Sequence, residues 1–132
     1  MLATISCLLL VSAGLVVHAD DNAPPGMDAA MSSKDAEYGY SKKNPVKVGS
    51  KEEYGGPKAE QEYLQGLYDA KGKRVSFRRI GSVGKGPDGN VLDAYEITTS
   101  DGKKLQIYID MYHPKNVPAK QLAPKGLFKR KS

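Results

Sequence analysis

Cysteine is almost absent from this chain of 132 residues; Cys7 is the only one. A single thiol closes no intramolecular disulfide and builds no multi-thiolate zinc site. Histidine is nearly as scarce, with His18 and His113 alone. No Asn-x-Ser/Thr glycosylation acceptor occurs, because Asn22, Asn44, Asn90 and Asn116 all fail the pattern. Residues 1–19 contain no Asp, Glu, Lys or Arg. No internal repeat is visible, which excludes solenoids and propellers.

What residues 1–19 do contain is an apolar core, Leu8-Leu9-Leu10-Val11 and Leu15-Val16-Val17, ending at Val17-His18-Ala19. That pattern predicts a secretory signal peptide cleaved after Ala19. A membrane anchor would need about 20 consecutive apolar residues, more than this run offers. A lipid attachment at Cys7 would place the cysteine inside the apolar core rather than after it. Cleavage leaves a chain from Asp20 with no cysteine, one histidine, no transmembrane segment and no metal-ligand set. A small exported domain without disulfides is typical of bacterial exported proteins. The net charge of +5 then belongs to the mature part, with a pI of about 9.2. Acidic residues are interspersed, so solubility is the plain consequence and affinity for anionic surfaces a weak one.

The firmest local signal runs from Val91 to Tyr112. Two runs rich in β-branched and aromatic residues flank Ser100-Asp101-Gly102, which predicts a β-hairpin. Leu105, Ile107 and Ile109 alternate on one face of the second strand. A three-residue loop sets Ile97 opposite Leu105 and Tyr95 opposite Ile107; a two-residue loop would set Ile107 against Glu96. Upstream, residues 20–37 have no apolar period and read as a disordered linker. Val46 and Val48 alternate around Lys47, consistent with an extra N-terminal edge strand. Pro57 opens a helix to Tyr68 whose stripe is Ala59, Tyr63, Leu64 and Leu67. A strand covers 74–82, and 81–90 reads as a loop by its glycines. Gly81 to Gly86 has the spacing of a phosphate loop, but Pro87-Asp88 stands where Lys-Ser/Thr is required and no helix follows. Residues 119–132 read as a basic flexible tail.

These elements predict an α+β domain over residues 38–118: one helix packed on a small antiparallel three-stranded meander in the order helix, strand, strand, strand. Three groups of residues are candidates for function. Leu92, Tyr108 and Tyr112 lie on the sheet face that one helix cannot cover, either beneath the 38–48 segment or open to a protein or envelope partner. Arg74, Arg78 and Arg79 form a basic strand, without the exposed aromatics that nucleic-acid binding wants. Asp110 and His113 place an acid and the mature histidine three residues apart, with Ser82 or Ser100 as partners for a triad. No cofactor motif is present.

The segments Tyr38-Gly-Tyr40, Asn44-Pro-Val-Lys-Val-Gly49, Arg79-Ile-Gly-Ser82, Leu92-Asp-Ala-Tyr-Glu96 and Leu105 to Tyr112 resemble a family of small exported bacterial proteins of unknown function. The resemblance covers roughly 38–118. Members have Cys in the loop after the Arg-x-Gly-Ser strand, where this chain has Val83-Gly84. Some carry the label dehydro-deoxyphosphooctonate aldolase, an activity of a (β/α)₈ barrel of about 250 residues. A domain of this size cannot form that barrel, and the resemblance implies no catalytic residues. The expectation is a non-catalytic binding or scaffold module of the bacterial envelope. One alternative is a small hydrolase using His113 and Asp110. Another is an envelope-surface protein that binds anionic lipid or polysaccharide through its basic tail.

Overall fold

The computed structural model describes residues 23–132, so the signal peptide read in 1–19 lies outside the described residues. In chain order the elements are β1 (Met27–Asp28), β2 (Val46–Lys47), α1 (Gly56–Gln65), β3 (Ser76–Lys85), β4 (Val91–Thr98), β5 (Lys104–Asp110) and β6 (Lys129–Arg130). Short 3₁₀ turns occupy Ala29–Met31 and Pro118–Lys120. Two sheets result, a four-stranded one in the order β2-β5-β4-β3 and a two-stranded one pairing β1 with β6.

The expected helix on a three-stranded meander is therefore corrected to one helix with six strands, largely β. The four-stranded sheet is mixed, because β2 runs parallel to β5 with Val46 opposite Ile109. Residues 23–37, read as linker, supply β1 and its turn. Residues 119–132, read as tail, supply β6, which pairs Lys129 with Asp28 and Arg130 with Met27. Strands of two residues joined across the whole chain leave no local period to read. A further correction concerns 81–90. Strand β3 continues to Lys85 through register shifts between Arg79 and Gly81 and between Ser82 and Lys85. Bulges consume glycines that otherwise signal a loop.

The β4–β5 hairpin has Ile97 opposite Leu105 and Tyr95 opposite Ile107. Its three-residue loop is closed by Gly102 N donating to Thr99 O, with Gly102 at φ +85°. Side chains alternate along each strand, so Tyr95, Ile97, Ile107 and Ile109 share the face that meets α1. Helix α1 brings Ala59, Tyr63 and Leu64 to that face, each no more than 3% exposed. Val46, Val48, Val75, Ala123 and Leu127 complete the core. Tyr38 and Tyr40 pack against this same core and donate their hydroxyls to Leu122 O and Lys125 O. Burial pushes both phenols up to about 12.

The opposite face is covered at Leu92 by the sheet's own turn, while Lys104 and Gln106 farther along it are exposed. A Cβ placed at Gly86 would meet Leu92 Cδ2 at 2.8 Å, so the β3–β4 turn rests on Leu92. Leu92 and Ala94 are both 0% exposed. The Lys42 ammonium, from the turn after Tyr40, donates to Val83 O in β3. Neither tyrosine of the 38–48 segment is the cover.

Candidate functional site

The two ends of the four-stranded sheet collect most of the chemistry. At the end where β3 turns into β4, the bulged hairpin carries Asp88 and Asn90 over the close of β5. Asp110 is 0% exposed there. Its carboxylate accepts from Asn90 Nδ2 at 3.1 and 3.3 Å and from Tyr112 N at 3.0 Å. His113 turns back beside it, with Nε2 3.0 Å from Asp110 Oδ2 and 3.2 Å from Asp88 Oδ2. Lys47, on the neighbouring β2, stands 2.7 Å from Asp88 Oδ2 and holds that carboxyl below its ordinary range. The turn of the chain after Tyr112 depends on Gly49. His113 N donates to Val48 O, and Gly49 N donates to Asn116 O. A Cβ on Gly49 would lie 2.4 Å from the His113 carbonyl. No flexible side chain can yield there; the obstacle is backbone.

Asp110 and His113 are thus brought together, but the serines proposed as their partners are not. Ser82 Oγ accepts from Arg79 and donates to Asp93. Ser100 N donates to Asp69 Oδ2 at 2.7 Å in the β4–β5 turn, at the other end of the sheet. The proposed apolar surface also divides. Leu92 is fully buried beneath the β3–β4 turn and is withdrawn from it. Tyr108 is half-buried, its hydroxyl accepting from Gln106. Tyr112 is 52% exposed and lines a groove of about 380 Å³ with Tyr54, which is 91% exposed.

The basic strand divides in the same way. Arg79 pairs with Asp93 at 2.9 Å, and Arg78 with Glu96 at 3.4 Å. Arg74 instead stacks its guanidinium 5.6 Å from the Tyr68 ring centre, with Arg130 on the same ring at 5.1 Å. Arg74 donates to the Tyr68 hydroxyl, and that contact lowers the phenol from its ordinary range. Neither arginine has a carboxylate partner among the described residues.

Around Tyr68 the chain gathers three segments. Tyr68 and Phe128 exchange backbone hydrogen bonds, and Asp69 Oδ2 accepts from Ser100 N. Residues 66–74, 99–103 and 125–131 therefore form one end of the molecule. They contain eight Lys and Arg against two Asp. Asp69 is used internally: burial would raise its pKa, but hydrogen bonds from Ser100 and the backbone of Lys73 and Lys71 outweigh that and hold it at about 2. Between the segments lies a cleft of about 420 Å³ lined by Tyr40, Leu105 and Leu127 and by Lys71, Lys103 and Lys125. None of these lysines forms an ion pair among the described residues. Lys129 differs from them. It is 6% exposed, donates to Pro118 O, lies over the Tyr63 ring, and is lowered to about 8 by burial.

One buried group was missed by the sequence reading. Glu60 is 1% exposed at the helix–sheet interface and accepts from the Tyr95 hydroxyl at 3.0 Å. Its Oε2 has no hydrogen-bond donor. Burial first, then Asp93 beside it, pushes the carboxyl up to about 8. Glu60 lies in the same helical arc as Ala59, Tyr63 and Leu64, and that arc was the available signal.

No family model, curated protein or solved structure matches the chain. Among the described residues no helix is long and apolar enough to cross a membrane.

Proposed function

We propose that this protein is a non-catalytic binding module of the bacterial envelope that holds an acidic polysaccharide at its basic end. The observation that carries the reading is the cleft between residues 69–71, 99–103 and 125–127, rimmed by three lysines without ion-pair partners. Unpaired ammonium groups around a cavity attract a polyanion, and neighbouring Arg74 and Arg130 extend the same field. A saccharide chain fits better than a lipid surface, because Lys71, Lys103 and Lys125 line a cleft together with Tyr40, Leu105 and Leu127, and outnumber its carboxylates Asp69 and Asp101, rather than standing around a projecting apolar face. The reading joins the envelope binding module to the alternative of a basic tail, with one change. The tail's cations act from an ordered, paired segment together with Lys71 and Lys103.

The test is retention on polygalacturonate, with neutral dextran as the reference. The wild-type chain should bind polygalacturonate and not dextran, with affinity that falls as salt rises. Each lysine near an anionic surface contributes about 1 kcal/mol, so Lys71→Gln/Lys103→Gln/Lys125→Gln should weaken binding about 100-fold. Unchanged retention in the triple variant, or stronger capture by anionic vesicles than by the polysaccharide, contradicts the proposal.

A further inference from the structure

We propose that Asp88, Asp110 and His113 form a binding site for a divalent transition-metal ion of the zinc class, in which the ion takes the place of the Lys47 ammonium. The three side chains come from the β3–β4 turn, the last residue of β5 and the segment after it. Each offers one ligand atom, and these atoms lie within 4.8 Å of one another. Zinc bound at 2.0–2.1 Å to nitrogen and oxygen ligands in a tetrahedron sets neighbouring ligand atoms about 3.3 Å apart. The His113 Nε2 to Asp110 Oδ2 and Asp88 Oδ2 separations are 3.0 and 3.2 Å. Two of the three separations therefore already lie near the edge of such a tetrahedron, and the third, between the two carboxylates, is within 4.8 Å. One imidazole nitrogen with two carboxylates suits zinc rather than magnesium or calcium, which prefer all-oxygen shells.

Burial decides which groups move. Asp110 is fully enclosed, and Asn90 and Tyr112 N fix its orientation, as the outer partners of a metal ligand do. Asp88 and Lys47 each have 36% of their side chain exposed, and His113 has 24%. Entry is therefore from the solvent side, past Lys47. A half-exposed ion pair is weak, so Lys47 yields Asp88 readily to a doubly charged ion. The hydrogen-bonded arrangement by itself would also hold the β3–β4 turn closed. Lys47 separates the two accounts: it strengthens a latch and competes with a metal.

Isothermal titration of the full chain with zinc chloride, and melting with and without zinc, make the test. The expected result is one site of micromolar affinity, a melting temperature raised by zinc, and no response to magnesium. Lys47→Met should bind zinc at least tenfold more tightly, while Asp88→Asn should lose at least tenfold. Asp88 lies in an exposed turn, so the Asn variant keeps the fold, and its melting in the absence of zinc checks this. No heat with zinc in either the wild type or Lys47→Met overturns the proposal. So does zinc binding that survives His113→Gln unchanged, which would place the ion on other ligands such as Cys7 and His18.

Discussion

At the end of the sheet where β3 turns into β4, residues 47–58, 85–93 and 110–116 carry five lysines against five carboxylates. At the end where β4 turns into β5, residues 66–74, 99–103 and 125–131 carry eight basic side chains against two acidic ones. The first end is balanced in number. Lys47, Asp88, His113 and Asp110 contact one another. Lys51, Lys58, Lys85 and Lys115, without ion pairs among the described residues, are offset by nearby carboxylates such as Glu52 and Glu53. The second leaves Lys71, Lys103, Lys125, Arg74 and Arg130 without carboxylate partners among the described residues. Folding rarely gains from crowding like charges, and this unbalanced end is the feature on which the proposed binding of a polyanion rests. The excess at the second end exceeds that of the whole chain, whose net charge is +5.

The core joins the two ends, and damage to it should abolish the distinction. Leu64 is 0% exposed between α1 and the sheet. Leu64→Ala should cost about 2–5 kcal/mol in denaturant unfolding. A cost below half of the lower figure would mean that α1 is not the lid of the core.

Gly49→Ala should break the balanced end and leave the basic end working. A Cβ there meets the His113 backbone at 2.4 Å, and overpacking of this kind costs about 1–3 kcal/mol. Melting should fall while polygalacturonate binding by the folded fraction stays unchanged. Loss of binding in proportion to the lost fold would leave the comparison standing; a specific loss of affinity would show that the two ends are coupled.

Glu60 tests the interface between them through pH. Its folded pKa of about 8 lies above the ordinary value of 4.5. The sign follows: the stabilisation is fully present below about 4.5 and is lost as pH rises through about 8. Glu60→Gln should flatten stability against pH across that window and leave both ends intact. An unaltered slope in the Gln variant would move the titration to another group.

The hairpin register was legible because Leu105, Ile107 and Ile109 alternate strictly, and a slip by one residue would expose them all. The stripe of α1 was legible for the same reason. The polar cluster at the balanced end was not. Asp88 and Asp110 are distant in sequence, and the bulges in β3 that bring them together occupy glycines that read as loop. His113 returns toward Asp110 where Gly49, just after β2, leaves room for the His113 backbone, a contact invisible in either segment alone. The basic end was half visible: Lys125 to Lys131 stood out by composition. Its union with Lys71 and Lys103 depends on backbone pairing between Tyr68 and Phe128, which no local pattern announces. Arg78 and Arg79 attracted notice as a run, yet both alternate onto carboxylates of β4.

The most direct test sets two variants of equal charge change against each other on polygalacturonate. One removes Lys71, Lys103 and Lys125 as glutamines; the other removes Lys51, Lys58 and Lys115, all exposed toward the balanced end. If placement matters, the first should lose about 100-fold in affinity. The second should lose no more than about threefold, the residue of long-range attraction left after screening by salt. Equal losses in both would contradict the account, because net charge alone would then explain binding.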